Sequence, residues 1–316
     1  MASLDEGVFG GARLTIAAKA GSRVVMCYNE SDGKLCVVKA YARSMVNPIV
    51  IRSERDALQA LSHPLIASCY RTAKDKAHVY FVMEAVVGGP LYRHVKRAGR
   101  LAPATARYYA AQTLVAIEYM HSKGIIHRDL KASNIMLDDV GKIRIVDFGA
   151  AATVVAGQSR NTFCGTPHCM APEMISRSGH SYGVDWWALG IFFFEMLTGK
   201  PPFWDDDNND DSFFKLRALI LAGFDVAKAS IQPDDVLGTL SVLLQTAPSR
   251  RPEAKADFRA FGLARLEDWE TVVDAPAPPY CRDVGYLDWV QDCQETTLED
   301  SRGRAYADQT ALFNGF

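Results

Sequence analysis

The chain has 316 residues, of which 48% are hydrophobic and 23% charged, a composition typical of a soluble globular protein of about two domains. Its 35 Lys and Arg residues nearly balance 37 Asp and Glu residues, and the net charge of −2 argues against nucleic acid as a main partner. The seven cysteines include no CxxC pair, which argues against a zinc ribbon and predicts reduced thiols. We expect no membrane insertion, because the most apolar stretch, residues 188–197, is short and contains Glu195.

The first part of the chain predicts a small β-rich lobe over residues 12–84. Short apolar runs predict strands at residues 24–28, 35–38 and 78–84. The Asp32-Gly33 pair between the first two runs is a typical hairpin signal. One amphipathic helix interrupts the strands, and its apolar face comprises Ile51, Ala57, Leu58 and Leu61. Residues 86–90, Val-Val-Gly-Gly-Pro, break the pattern and predict a hinge.

The second part predicts a larger, mainly helical lobe over residues 85–270. Helices are predicted at residues 103–121, 185–198, 212–224 and 234–246, and one strand at residues 142–146. Residues 205–211 carry five aspartates and predict an acidic loop. The periodic pattern weakens after about residue 270, so residues 271–316 are predicted to be an extended tail.

Three short motifs in a fixed order carry the chemistry. Residues 127–134 read His-Arg-Asp-Leu-Lys-Ala-Ser-Asn, residues 147–149 read Asp-Phe-Gly, and residues 171–173 read Ala-Pro-Glu. Any one of these tripeptides could arise by chance, but the ordered set resembles the signatures of the eukaryotic protein kinases. The resemblance covers nearly the whole chain and implies a bilobal α+β fold that binds ATP between its lobes.

Further motifs narrow the resemblance to the AGC group. Residues 162–167 read Thr-Phe-Cys-Gly-Thr-Pro, residues 184–190 read Val-Asp-Trp-Trp-Ala-Leu-Gly, and residues 313–316 read Phe-Asn-Gly-Phe. This combination is most similar to the catalytic subunits of cyclic-AMP-dependent protein kinase. The resemblance implies a tail that returns to the small lobe, where Phe313 and Phe316 would dock in a hydrophobic pocket.

The same resemblance assigns the catalytic residues. Lys39 would hold the α- and β-phosphates of ATP, and Glu54 on the following helix would be its ion-pair partner. Asp129 would accept the proton of the substrate hydroxyl, while Lys131 would neutralise the γ-phosphate. A lysine at position 131 also favours Ser/Thr over Tyr specificity. The implied Mg²⁺ ligands are Asn134 and Asp147.

The resemblance also implies a nucleotide pocket and a set of bracing residues. Met83 would be the gatekeeper, and residues 84–86 the hinge. The positions expected to contact the nucleotide are Ala17, Lys19, Val24, Val37, Lys39, Met83, Glu84, Val86, Met136, Asp147 and Tyr286. Asp185 would brace the catalytic loop, and Glu173 would pair with Arg251. Thr162 is the expected activating phosphosite, with Arg128 as the partner of its phosphate.

The sequence departs from the family in its glycine-rich loop. The G-x-G-x-x-G-x-V positions read Ala17-Ala18-Lys19-Ala20-Gly21-Ser22-Arg23-Val24, so all three glycines are replaced and Gly21 is out of phase. Because Cβ atoms restrict the approach of the backbone to phosphates, this loop predicts looser ATP binding. It also leaves open a second interpretation, in which the chain is a weak or inactive pseudokinase acting as a scaffold.

The expected partners follow from the same resemblance. The expected partners are protein substrates, a cyclic-nucleotide-binding regulatory subunit and an upstream activating kinase. The protein is expected in the cytoplasm and also in the nucleus. Relatives recognise basic substrates with three acidic residues. Two of these positions are Pro90 and Ser133 in this chain, and the third is the acidic residue Glu195. Basic-substrate preference therefore does not carry over directly, although the acidic loop at residues 205–211 predicts attraction of basic peptides.

Overall fold

The structure is a computed structural model of the full chain. It describes residues 14–19, 21–28, 34–155, 158–203, 212–225, 231, 234–252 and 271–278. Within this part, the chain forms a β-rich unit followed by a mainly helical unit, as the sequence predicts. The predicted acidic loop at residues 205–211 and the tail aromatics Tyr286, Phe313 and Phe316 lie outside the described residues.

The β-rich unit is a five-stranded antiparallel sheet in the order β1-β2-β3-β5-β4. Its strands are β1 (Leu14–Lys19), β2 (Ser22–Tyr28), β3 (Leu35–Ala42), β4 (Cys69–Lys74) and β5 (His78–Glu84). The predicted pairing of the two runs is confirmed, because β2 and β3 pair in continuous register from Ser22↔Tyr41 to Tyr28↔Leu35, while the predicted Asp32-Gly33 turn lies outside the described residues. Strands β1 and β4 were not predicted. Strand β4 has a half-exposed pattern with few apolar residues, which gives little signal in the sequence.

Helix α1 (Pro48–Ala60) crosses this sheet and presents one face to the core. The side chain of Asn47 caps its first turn by accepting a hydrogen bond from the backbone N–H of Ile49 at 2.9 Å, and Pro48 occupies the first helical position. The predicted apolar residues Ile51, Ala57 and Leu58 are buried, as is the charged Glu54. A buried glutamate on an apolar face requires a partner, and the cleft supplies it.

The helical unit is built around two central helices. Helices α3 (Pro103–Ser122) and α5 (Gly183–Thr198) pack together and are buried along most of their length. The other helices are α2 (Leu91–Ala98), α4 (Pro172–Ser176), α6 (Ser212–Ala222) and α7 (Asp234–Leu243). The predicted helices are confirmed, although α6 and α7 end earlier than the sequence pattern suggests. None of the helices in the described ranges is long and apolar enough to cross a bilayer.

Two small hairpins place the catalytic motifs at the edge of the helical unit. Strand β7 (Ile135–Leu137) pairs with β8 (Ile143–Ile145), and β6 (Ile125–Ile126) pairs with β9 (Ala152–Thr153). The predicted strand at residues 142–146 is therefore present but shorter. These strands bracket the segment that carries His-Arg-Asp and the segment that carries Asp-Phe-Gly, and so hold both segments beside the sheet.

The segment 271–278 lies against the helical unit. Gln112 on α3 donates to the backbone carbonyl of Val272 at 3.0 Å, and the Tyr108 hydroxyl donates to that of Ala275 at 3.0 Å. Lys142 reaches the carbonyl of Val273 at 2.7 Å. The first described residues of the predicted tail thus join the main core. The predicted return of the tail to the small lobe concerns residues outside the described part.

Candidate active site

Three side chains from three different elements meet in the cleft between the two units. Lys39 on β3 lies 2.8 Å from Glu54 on α1 and 2.7 Å from Asp147, which follows β8. Burial alone would lower the pKa of Lys39, but the carboxylates of Glu54 and Asp147 outweigh it and hold that pKa well above its usual value. Lys39 is therefore a fixed positive charge between the sheet, helix α1 and the helical unit.

Glu54 has a second partner that the sequence did not indicate. The Tyr41 hydroxyl donates a 2.7 Å hydrogen bond to its second carboxylate oxygen. Burial raises the pKa of Tyr41, so its hydroxyl stays protonated and remains a donor. Tyr41 follows Lys39 by two residues on β3, so both side chains lie on the same face of the strand. Both carboxylate oxygens of buried Glu54 are thus satisfied.

Asp129 is the centre of a second network. Its Oδ1 accepts hydrogen bonds from the backbone N–H of Thr166 at 2.8 Å and from the Thr166 hydroxyl at 2.7 Å. Its Oδ2 accepts one from Lys131 at 2.9 Å, and Lys131 also donates to the Thr166 hydroxyl. Asn134 donates to the Asp129 carbonyl at 2.8 Å. The catalytic loop is therefore tied to the Thr-Pro segment that precedes the Ala-Pro-Glu motif.

The backbone of the catalytic loop is held from beneath by Asp185 on α5. Asp185 is fully buried and accepts backbone hydrogen bonds from His127 and Arg128, each at 2.9 Å. His121 on α3 lies 2.9 Å from the same carboxylate. Burial alone would raise the pKa of Asp185, but the hydrogen bond from His121 and the nearby His127 lower it overall. Asp185 therefore remains an anion beneath the backbone of His127 and Arg128.

Two residues of the site have left-handed backbone conformations. Arg128 has φ 66° and Asp147 has φ 61°, values that cost energy for a residue with a side chain. The two backbone hydrogen bonds to Asp185 hold the first of these residues in place. Behind Asp147, Phe148 is fully buried and its ring lies 4.9 Å from that of His127. This packing links the Asp-Phe-Gly segment to the catalytic loop.

Glu173 and Arg251 form the predicted ion pair at the base of the helical unit. The two guanidinium nitrogens of Arg251 bind the two carboxylate oxygens of Glu173 at 2.6 and 2.8 Å. Arg251 also donates to the carbonyls of Gly183 and Gln245 at 2.9 and 2.7 Å. The pair thus joins the end of the Ala-Pro-Glu motif to the start of α5 and to the segment that follows α7.

The predicted phosphosite is placed on an exposed strip beside basic residues. Thr162 is exposed, and two residues before it Arg160 pairs through its backbone with His180. The guanidinium of Arg128 lies 3.5 Å from the His180 ring and donates to the carbonyl of Ala150 at 2.6 Å. Burial, together with the nearby Arg128, lowers the pKa of His180 to about 4. Arg128, through its side chain, and Arg160, through its backbone, therefore both contact His180.

Most of the residues expected to contact the nucleotide lie on β2, β3, β5 and β7 and in the connecting segment after β5. Val37 pairs directly with Met83 across β3 and β5, and Val24 pairs with Lys39 across β2 and β3. From the helical unit, Met136 on β7 is half-buried, and Val86 in the connecting segment is buried. The side chain of Glu84 does not enter this set, because it lies 3.1 Å from Arg144 and accepts from the backbone N–H of Ser68 at 3.0 Å.

The turn between β1 and β2 shows how the glycine-poor loop folds. Ala17 pairs with Val24 and Lys19 pairs with Ser22, so the chain turns between Lys19 and Ser22. Gly21 has φ 78°, and a Cβ at this position would lie 2.9 Å from the Cβ of Met45. The out-of-phase glycine thus stands where the turn itself requires one. The sequence pattern alone did not indicate this requirement.

Asn134 and Asp147 have the chemistry of a magnesium pair. The backbone N–H of Val146 donates to the Asn134 carbonyl at 2.9 Å, which sets Asp147 beside Asn134. The Asn134 amide nitrogen faces Asp129, so its carboxamide oxygen is the group left to act as a ligand. Mg²⁺ in phosphate-transfer sites takes one or two protein oxygens and completes its shell with phosphates and water. The described ranges hold no group of three or more His, Cys, Asp or Glu side chains placed for a metal ion.

Comparisons with known proteins agree with this geometry. The sequence matches the protein kinase domain over residues 19–259. The chain belongs to the protein kinase family. This kinase domain is 44% identical to the human cAMP-dependent protein kinase catalytic subunit PRKX over 232 residues, which are 72% of this chain and 63% of that protein. It is 39% identical to the cAMP-dependent protein kinase catalytic subunit of Dictyostelium discoideum over 206 residues, which are 64% of this chain and 31% of that protein.

The comparisons confirm the predicted resemblance to the catalytic subunits of cAMP-dependent protein kinase. A third relative, the human putative serine/threonine-protein kinase PRKY, is 43% identical over 173 residues, 55% of this chain and 60% of that protein. The chain therefore spans between about one third and somewhat under two thirds of the length of these relatives. The bilobal α+β fold predicted from the motifs is that of the kinase domain in the structure.

Proposed function

We propose that this kinase domain transfers the γ-phosphate of ATP to serine and threonine hydroxyls of proteins. The observation that carries the proposal is the position of Lys39 between Glu54 and Asp147, at 2.8 and 2.7 Å. In phosphoryl transfer, the protein acts mainly by positioning the reacting groups and by neutralising the charge of the phosphates. A lysine held by two carboxylates from opposite sides of a cleft supplies a fixed charge for the phosphates of a bound nucleotide.

Asp129 is the residue that would accept the proton of the substrate hydroxyl. A general base must be held at a fixed position within hydrogen-bond reach of the proton that it removes. Thr166 and Lys131 hold the two oxygens of Asp129 from different sides, at 2.7 to 2.9 Å. Lys131 would neutralise charge on the transferred phosphate, and its presence supports Ser/Thr over Tyr specificity.

Asn134 and Asp147 would hold Mg²⁺, which supplies charge neutralisation at the phosphates when it is bound. Other protein groups orient the reactants. Lys39 orients the nucleotide phosphates, while Asp185 keeps the backbone of His127 and Arg128 in the conformation that directs Asp129 toward the substrate.

A phosphotransfer assay on a peptide array tests the proposal. The wild-type chain should phosphorylate Ser and Thr peptides with ATP and Mg²⁺, and Asp129→Asn should lower the rate by about 10²-fold or more. Asp139→Asn is the matched control, because Asp139 is exposed in the loop after β7 and should leave the rate unchanged. Equal rates for wild type and Asp129→Asn would contradict the proposed base.

A scaffold without catalytic activity is the second candidate. It is favoured by Ala17, Lys19 and Ser22, which occupy the three positions where a phosphate-binding loop places glycine. A wild-type chain that binds ATP and Mg²⁺ in a thermal-shift assay, yet transfers no phosphate to any peptide, would support the scaffold. Transfer that depends on Asp129 would exclude it.

The proposal extends to regulation. Relatives named as cAMP-dependent catalytic subunits support inhibition of this chain by a cyclic-nucleotide-binding subunit. Exposed Thr162, two residues after Arg160, supports activation by an upstream kinase, because a phosphate there would gain charge-assisted hydrogen bonds if it paired with Arg128. Added regulatory subunit should lower the phosphotransfer rate, and cAMP should restore it. Thr162→Ala should lower the rate of a chain shown to carry phosphate on Thr162, and equal rates would contradict this part.

A further inference from the structure

Two cysteines face each other on the sheet, away from the cleft. Cys27 on β2 and Cys36 on β3 are directly opposed in the strand register, and their sulfur atoms lie 3.4 Å apart. Both residues are buried, and both carry reduced thiols rather than a disulfide. They belong to a small apolar cluster with Val38, Ala40, Tyr80 and Val82. Because side chains alternate along a strand, Val37 and Lys39 project to the opposite face, toward the nucleotide cleft.

From this geometry we infer that Cys27 and Cys36 are a modification site, a dithiol that peroxides oxidise to a cross-strand disulfide. Directly opposed residues of antiparallel strands have Cα atoms about 4.5–5.5 Å apart, which falls within the range that disulfides span. Sulfur atoms already in van der Waals contact need only small side-chain rotations to form the bond. The strands themselves do not have to move.

The position of the pair also gives an oxidant access to it. The Cys27↔Cys36 pair lies next to Tyr28↔Leu35, which is the last residue pair between β2 and β3. Strand ends open locally at a much lower free energy than the whole domain, so brief fraying of this hairpin end exposes both thiols. Cys169, also buried, has no such route, because it lies beneath the helical unit in a different apolar cluster.

The chemistry requires only a peroxide. The sulfur of one cysteine, as thiolate, attacks a peroxide oxygen, the O–O bond breaks, and the cysteine becomes a sulfenic acid as one water leaves. The second sulfur then attacks the sulfenic sulfur, the S–S bond forms, the S–O bond breaks, and a second water leaves. Two thiols lose two electrons and two protons, and hydrogen peroxide is reduced to two waters.

A disulfide at this point would fix the spacing of β2 and β3. These strands carry Val24, Val37 and Lys39, which are expected to contact the nucleotide. The bond closes a short loop between Cys27 and Cys36, and such a constraint opposes local opening of the hairpin. We therefore expect slower amide hydrogen exchange in β2 and β3 after oxidation, by about tenfold, and full reversal by a dithiol reductant.

Peptide mass mapping of the full chain tests the inference. After treatment with hydrogen peroxide, a linked peptide containing Cys27 and Cys36 should account for most of the protein, and dithiothreitol should remove it. Cys36→Ala and Cys27→Ala should each abolish the link and the change in hydrogen exchange. Cys69→Ala is the matched control, because Cys69 on β4 is a half-buried thiol that faces no described cysteine.

Two results would overturn the inference. One is the absence of the linked peptide under conditions that oxidise the thiol of Cys69, which would make the pair a simple packing contact. The other is a linked peptide with unchanged hydrogen exchange in β2 and β3, which would contradict the effect on the hairpin. Neither measurement depends on phosphotransfer, so both outcomes are independent of the proposed function.

Discussion

Two ion pairs in this kinase domain have similar distances but different surroundings. Lys39 contacts Glu54 and Asp147 at the mouth of a cleft, and the Asp147 side chain is 36% exposed. Arg251 binds both oxygens of Glu173 where the two side chains are 0% and 4% exposed. Lys39 is shared between two carboxylates on opposite sides of the cleft. The Arg251–Glu173 pair, in contrast, is bidentate, and Arg251 donates its remaining N–H groups to backbone carbonyls.

The difference separates two uses of charge. A closed, bidentate pair joins segments of chain, and no ligand can reach it without local unfolding. A lysine shared between two acids at a cleft can exchange one acid for a phosphate and keep its charge paired. The proposed function concerns the first site, whereas we expect the second to act on stability. Asp147→Asn should therefore lower activity with little effect on stability, and Arg251→Met should do the reverse.

The largest effect is expected at the cleft. Lys39→Met and Asp147→Asn should each lower the rate of phosphotransfer by about 10²-fold or more, because they remove charge that acts on the phosphates. Asp147→Asn keeps the shape of a partly exposed side chain, so its melting temperature should stay within about 2 °C of wild type. Initial rates and thermal unfolding check these values. A variant with the wild-type rate would remove the functional assignment of its residue.

At the closed pair, Arg251→Met should act on stability. Removing one partner leaves the Glu173 carboxylate buried without its cation, which costs about 3–5 kcal/mol. The corresponding fall in melting temperature is on the order of 10 °C. Arg250→Met is the matched control, since the neighbouring Arg250 is exposed and should change the melting temperature little. Equal effects of the two variants would mean that the buried pair adds no stability.

Asp185 is expected to affect both stability and activity. It is buried, like Glu173, and it also holds the backbone of the catalytic loop. Asp185→Asn replaces one of the two carboxylate oxygens that accept from the backbone N–H groups of His127 and Arg128 with a donor, which should cost about 1–3 kcal/mol and displace Asp129. The lowered pKa of Asp185 means that its contribution to stability is present above the unfolded pKa and is lost as the pH falls through the folded value. Acid unfolding of the variant should therefore begin from a lower stability but depend less on pH. An unchanged acid titration would contradict the anionic role.

Glu195 on α5 differs from Glu54 and Glu173, because it is a half-buried carboxylate that forms no ion pair among the described residues. Burial raises its pKa to about 7, and no cation among the described residues forms an ion pair with it. The folded state then binds a proton that the unfolded chain releases, so stability should fall as the pH rises from about 5 to 7. Glu195→Gln should raise the melting temperature at pH 8 by a few degrees and leave it unchanged at pH 5. Equal shifts at both pH values would show that this titration does not govern stability.

The sequence predicted those parts of the site that have fixed spacing. Lys39, Glu54, Asp129 and Asp147 occur at characteristic positions along the chain, and the structure brings Lys39 together with Glu54 and Asp147. Tyr41 was missed, because a tyrosine on a strand gives no sign that its hydroxyl will reach a helix. His121 was missed for a similar reason, since its contact with Asp185 joins two helices that are distant in sequence.

Local patterns explain which elements were found. Residues 103–121 predict a helix because apolar positions repeat and a proline and a glycine mark its ends, and α3 spans nearly the same residues. Strand β7 reads Ile-Met-Leu with no polar residue between its apolar ones, so it shows no alternation, whereas β8 reads Ile-Arg-Ile. The need for glycine at position 21 depends on contact with Met45, which is a property of the fold and not of the loop sequence.

The separation of activity from stability is the central claim, and one paired measurement tests it most directly. Phosphotransfer per folded molecule and melting temperature are measured for Asp147→Asn and Arg251→Met, at a temperature where both remain folded. The account predicts that Asp147→Asn loses about 10²-fold in rate with little change in melting temperature, and that Arg251→Met loses on the order of 10 °C with a rate near that of wild type. A wild-type rate in Asp147→Asn, or an unchanged melting temperature in Arg251→Met, would contradict it.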